Sequence, residues 1–137
     1  VLVSKGLQEV DEYGVLFDPA CVRNLETIIR KTKADIVVTS SWKYLMSYEE
    51  FLEMWNARNL PGFITDTTPN ISNHRGDEID AWIRECKTEC EYVIIDDLDA
   101  NNFNEHHLPH LITVNPYNGL DEIAVKQAIE ILGMDVS

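Results

Sequence analysis

Two apolar runs in this chain stop abruptly at oxygen-bearing side chains: Ile36-Val37-Val38 ends at Thr39-Ser40-Ser41, and Tyr92-Val93-Ile94-Ile95 ends at Asp96-Asp97-Leu98-Asp99. A short apolar run between helical patterns reads as a strand buried on both faces of a parallel sheet. Its last residues then emerge at the carboxyl edge, where open α/β sheets hold their ligands. A hydroxyl from one strand and an acidic pair from another are the groups needed to hold a phosphate and a divalent metal together. The pattern points to phosphoryl chemistry.

The segments around these runs predict alternating helices and strands. Asp18 and Pro19 mark a helix start, followed by the apolar stripe Val22, Leu25, Ile28 and Ile29 and an end near Lys31 to Lys33. Ala34 to Thr39 follows as a strand. Ser47 and Glu50 match a capping box for a helix running to about Asn59, which Leu60-Pro61-Gly62 breaks. Phe63-Ile64-Thr65 is a short strand, Asp66 to His74 a polar loop, and Gly76 to Cys86 a helix delivering the chain to the strand Tyr92 to Ile95. Asn101 to Pro109 reads as irregular, Leu111 to Val114 as a last strand, and Leu120 to Leu132 as a helix closed by Gly133. Such alternation implies one α/β domain spanning 1–137, with a mostly parallel sheet between helices.

Composition narrows the function. The chain has 137 residues, 45% of them hydrophobic, an ordinary globular balance able to bury roughly two-thirds of the unfolded surface. No apolar stretch approaches the ~20 residues that span a bilayer, and the expectation is a soluble, cytoplasmic protein without a membrane partner. The formal charge of −13 opposes nonspecific binding to nucleic acid, although a local cationic patch and a metal would still admit a nucleic-acid end. Cys21, Cys86 and Cys90 lack zinc-type spacing and read as reduced thiols. His106, His107 and His110 read as surface histidines, and Trp42, Trp55 and Trp82 as packing residues.

The order of the chemical groups separates candidate folds. A receiver domain places its acidic pair ahead of its Thr, whereas here the Thr-Ser group comes first. The segments FDPACVRNLETII, IVVTSSWK, RGDEIDAWI and VIIDDLD resemble the haloacid-dehalogenase-like (HAD) phosphohydrolases, and within them the HAD domain of Swiss Army Knife RNA-repair proteins. This resemblance implies a Rossmannoid three-layer sandwich with sheet order five, four, one, two, three. It also implies a Mg²⁺-dependent phosphatase. Thr39, with Ser40 as its neighbour, would contact the transferring phosphoryl group, and Arg75, with Lys43 as rival, would supply the stabilising cation. Asp96 and Asp97 would hold Mg²⁺.

The resemblance also implies an aspartate pair, DxD, ending the central first strand, whose first Asp attacks phosphorus. Val1-Leu2-Val3 looks like the continuation of such a motif, so the nucleophile is expected a few residues upstream of Val1. Without that strand, two half-sheets would be left with unpaired edges. Asp11-Glu12-Tyr13-Gly14-Val15-Leu16 imitates DxDGVL and offers a degraded alternative; a non-catalytic HAD-like binding module is the other. About seventeen residues between Val1 and Asp18 are too few for a separate cap domain, which implies an open site suited to a large phosphorylated partner such as a nucleic-acid end.

Overall fold

The computed structural model describes residues 2, 10–12, 14–39, 46–72, 74–85, 91–115 and 117–133. Among the described residues the first elements are a short antiparallel pair, β1 (Val10–Asp11) and β2 (Gly14–Val15). Then come α1 (Pro19–Thr32), β3 (Ile36–Val38), α2 (Tyr48–Ala57), β4 (Ile64–Thr67), α3 (Arg75–Glu85), β5 (Ile94–Asp96), β6 (Leu111–Thr113) and α4 (Glu122–Ile131). The segment expected to be irregular contains two 3-10 turns, Ala100–Asn102 and Glu105–His110.

Local chemistry accounts for these boundaries. Asp18 accepts the Ala20 N–H at 2.9 Å, and the Ser47–Glu50 capping box is formed in both directions. Gly62 turns the chain between α2 and β4 at φ +80°, a conformation that side chains resist, and Gly133 follows α4 at φ +77°.

Among the described residues the parallel strands form two pairs, β3 with β4 and β5 with β6, each hydrogen-bonded within itself. Each pair has its own core. Phe51, Met54 and Trp55 of α2 pack with Val38 and Ile64 over β3–β4. Helices α1 and α4 cover β5–β6 through Cys21, Ile28, Ala128 and Ile129, while Ile79 of α3 and Phe103 meet Ile94. Because Ile95 packs toward the α1–α4 cluster and Ile94 toward α3, β5 carries helices on both faces. Leu2 and Leu25 pack against the cores of both halves and so join them. Among the described residues this is an α/β architecture with two parallel strand pairs. No helix among the described residues is long and apolar enough to cross a membrane.

Candidate active site

Asp96 closes β5 and is only 5% exposed. Its Oδ1 accepts the backbone N–H groups of Asp97 at 2.8 Å and Leu98 at 3.2 Å, while Oδ2 accepts Arg75 Nη1 at 2.6 Å. Arg75 is the first residue of α3, so a helix start is tied to a strand end by a largely buried ion pair. Burial pushes the Asp96 carboxyl above the ordinary carboxylate range; Arg75 and the Leu98 N–H pull it back, and Asp97 adds to the rise. Asp97 itself is exposed. The sequence therefore named two partners, Arg75 and Asp96, that the fold brings into direct contact.

Thr39 lies at the end of the other half-sheet. Its Oγ1 accepts the hydroxyl of Thr68 at 3.0 Å, and Thr68 is 4% exposed. Ser40 and Lys43, the neighbouring candidates, fall outside the described residues, as do Trp42, Cys86 and Cys90. The two strand ends are linked through α3. Thr68 begins the loop whose Ile71 N–H donates to Glu78 Oε2 at 3.0 Å, and Glu78, 1% exposed, stands one turn after Arg75. An open groove of about 680 Å³ adjoins Thr68 and runs past Pro69 and Ile71 to Trp82, whose Nε1 donates to Asp66 at 3.0 Å.

A family model for the HAD domain in Swiss Army Knife RNA repair proteins matches residues 1–125 of the chain. The chain belongs to that family. Comparison with curated proteins and with solved structures finds no match. Membership puts this HAD domain in a phosphohydrolase-like superfamily that generally uses Mg²⁺.

The donors at the end of β5 fit such an ion. Magnesium takes hard oxygen ligands, usually one or two carboxylates with substrate oxygens and waters. Asp96 is aimed by two backbone N–H groups and keeps a free lone-pair direction on Oδ2 beside Arg75, and exposed Asp97 follows it directly.

A second polar cluster of the HAD domain does not fit a metal. Asp80, His106 and His107 have ligand atoms within 4.8 Å of one another, and both imidazole Nε2 atoms lie 2.7 Å from Asp80 Oδ1. The Asn104 N–H, however, donates to His107 Nδ1 at 3.1 Å. A neutral ring accepting there carries its proton on Nε2 and donates it to Asp80, so Nε2 has no lone pair for a cation. The cluster is a hydrogen-bonded clamp. Asn104 extends it, donating to Asp80 Oδ2 at 2.8 Å, with its Oδ1 2.9 Å from His74 Nε2.

This clamp sets where α3 begins. A Cβ on Gly76 would stand 2.8 Å from Asn104 N and 3.0 Å from Phe103 Cα, so only glycine lets the first turn of α3 press against that segment. The neighbouring Arg75 is thereby delivered to Asp96. The reading of three surface histidines needs correction: His106 is exposed, but His107 is fully buried and His110 stacks on Tyr92 at 4.1 Å while its Nδ1–H donates to the Tyr92 carbonyl, 3.0 Å away. Burial holds the His107 imidazole below the usual histidine range, against the pull of Asp80. Asp80 feels burial in the opposite sense, yet the bonds from His106, Asn104 and His107 hold it below the ordinary carboxylate range.

The DxDGVL imitation was only an alternative, and the structure gives its first aspartate another setting. Asp11 lies in the antiparallel hairpin, and both its oxygens accept from Arg58, at 2.7 and 3.0 Å. It ends no parallel strand. Sequence reasoning missed Thr68, Glu78, Asp80 and Asn104. Of these only Thr68 carried a legible cue, a second threonine just past a strand that would lie beside the first.

Proposed function

We propose that this HAD domain is a Mg²⁺-dependent phosphohydrolase working through an aspartyl-phosphate, on a minimally capped three-layer sandwich. The observation that carries the reading is the Arg75–Asp96 pair, a guanidinium and a backbone-anchored carboxylate meeting at the tip of a parallel strand. In this reading Asp96 and Asp97 hold Mg²⁺, which when bound neutralises phosphoryl oxygens. Arg75 contributes a second positive charge to the same group, and Thr39, with Ser40 beside it, donates hydrogen bonds to the phosphoryl oxygens. Such transfers depend mainly on positioning and on charges placed in advance. The nucleophilic aspartate comes from a strand lying between β3 and β5. Support for that position comes from Leu2, which packs on the cores of both parallel pairs. The substrate class is a phosphate on a large partner, with the family description favouring an RNA end.

The test is phosphate release from an aryl phosphate, a 3′-phosphorylated oligoribonucleotide and a 2′,3′-cyclic phosphate end, with and without magnesium. Magnesium-dependent turnover abolished by Asp96→Asn is expected, with RNA ends preferred over the aryl ester. Absence of turnover on every substrate would instead support a non-catalytic phosphate-binding or partner-binding module.

A further inference from the structure

We infer that Thr68 is a positioning residue for the phosphoryl contact, acting through Thr39; this rests on the phosphohydrolase reading above. The register of β3 and β4 supplies the first reason. Ile36 lies opposite Ile64, but Val37 opposes Asp66 and Val38 opposes Thr67, so one extra residue, Thr65, is accommodated in β4. Continuing that register sets Thr68 beside Thr39. Without the bulge Thr39 would face Thr67, and a one-residue shift turns the side chain at that place to the opposite face of the sheet. The bulge is also held in place. The Tyr48 hydroxyl of α2 lies 3.2 Å from the carbonyl oxygens of both Ile64 and Thr65, and Thr65 Oγ1 donates to the Ile36 carbonyl at 3.3 Å.

The second reason is the bond itself. The Thr68 N–H donates to the Val38 carbonyl at 2.9 Å, which fixes its backbone, and its buried hydroxyl donates to Thr39 Oγ1 at 3.0 Å. A hydroxyl that accepts from one side turns its own proton elsewhere. Thr39 is only half-buried, so its proton is left to donate outward, toward a phosphoryl oxygen at the strand tip. Thr68 touches no reacting atom. Its work is to remove a rotamer choice and a competing acceptor from Thr39.

The experiment measures the affinity of inorganic phosphate, a product of the proposed reaction, by calorimetry at fixed magnesium, together with thermal denaturation. The proteins are wild type, Thr68→Val, Thr68→Ser, Thr39→Val and the double variant Thr39→Val/Thr68→Val. One net hydrogen bond predicts that Thr68→Val weakens phosphate binding about fivefold to tenfold. Thr68→Ser should restore it to within about twofold of wild type, because the donor returns. The double variant should bind as Thr39→Val does, because the effect of Thr68 on phosphate passes through the Thr39 hydroxyl.

Equal phosphate affinity in wild type and Thr68→Val overturns the inference, as does a double variant whose losses simply add. If Thr68→Val does not fold, Thr68→Ser against wild type and Tyr48→Phe decide. Ser must match wild type, and Tyr48→Phe, which loosens the bulge, must weaken phosphate binding; failure of either overturns the inference. A wild-type protein that binds no phosphate overturns the phosphohydrolase reading, and the role of Thr68 with it. Binding by the wild type with no effect of Thr68 leaves that reading standing and removes only Thr68.

Discussion

At the end of β3, Thr39 is held by one neutral hydroxyl at 3.0 Å, whereas at the end of β5, Asp96 is held by a guanidinium and two backbone N–H groups. The first arrangement can be broken and leave behind a group that bonds readily to water. The second cannot, because removing Arg75 strands a carboxylate that is 5% exposed. In the β3–β4 half, then, the candidate phosphate contact is adjusted by a detail of strand register while the fold rests on α2 and its aromatic core. In the β5–β6 half, the candidate site and the seating of α3 depend on the same bonds. Substitutions there should alter stability and chemistry together, while those at the Thr39 end should separate the two.

The largest effect expected is at the ion pair. Arg75→Met keeps much of the side chain's apolar stem but removes the charge, and should destabilise the protein by about 3 kcal/mol, the low end for a broken buried pair because Arg75 remains 15% exposed. Urea denaturation measures this. A loss comparable to that of Thr39→Val would erase the contrast between the halves.

Next comes the seat of α3. In Gly76→Ala the new methyl would stand 2.8 Å from a backbone nitrogen, which cannot rotate away as a side chain can. Helix α3 must retreat from the 103–104 segment, at a cost of roughly 2 kcal/mol for overpacking. The same retreat draws Arg75 from Asp96, so phosphate affinity should fall in parallel. Unchanged affinity in a folded but destabilised Gly76→Ala protein would show that the first turn of α3 is not what aims the arginine.

Much of this was written in the sequence because local rules and global fold agree. The caps at Asp18 and Ser47, the break at Gly62 and the apolar runs of β3 and β5 each announce themselves within a few residues, and the helix and strand boundaries follow them closely. The placement of Thr39 and Asp96 at strand ends and of Arg75 at a helix start was legible because the apolar runs and the helix that follow one another along the chain fix those boundaries. What was not legible depends on contacts between distant segments. Asp80 joins residues 104, 106 and 107, more than twenty positions away, and nothing near it distinguishes a clamped carboxylate from a solvated one. His107 looks like its exposed neighbour His106 until Asn104 and α3 close over it. The bulge at Thr65 was hidden for the same reason, since a register exists only between two strands.

The clamp gives a third, smaller effect, and a pH window of its own. The fold holds His107 neutral at pH values where the unfolded chain already takes up a proton, so the unfolded state binds more protons below about pH 6.5. Its contribution is complete above that value and is lost as the pH falls toward the depressed value in the fold. Stability should decline with a slope of at most about 1.4 kcal/mol per pH unit over this range. Asp80 acts in the same direction at lower pH, where its carboxylate, also held below its ordinary range, begins to take up a proton. Denaturation midpoints between pH 8 and 5 report the slope, and His107→Gln, whose carbonyl can still accept the Asn104 N–H, should flatten it. A slope that persists in His107→Gln would assign the pH response to another group and detach the clamp from the β5–β6 half.

The smallest effect separates both halves from the hairpin. Asp11 and Arg58 make a two-bond pair in which Asp11 is one-third exposed, and Arg58 also lies 5.0 Å over the Phe17 ring, a contact that does not need the carboxylate. Asp11→Asn retains one acceptor for the guanidinium and should cost less than about 1 kcal/mol. Because Asp11 belongs to an antiparallel hairpin and both its oxygens are engaged by Arg58, phosphate release should be unchanged. A folded Asp11→Asn protein that loses turnover would mean that the DxDGVL likeness carries chemistry after all. The reacting centre would then have to reach the hairpin, and the division of the site between two strand tips would fail.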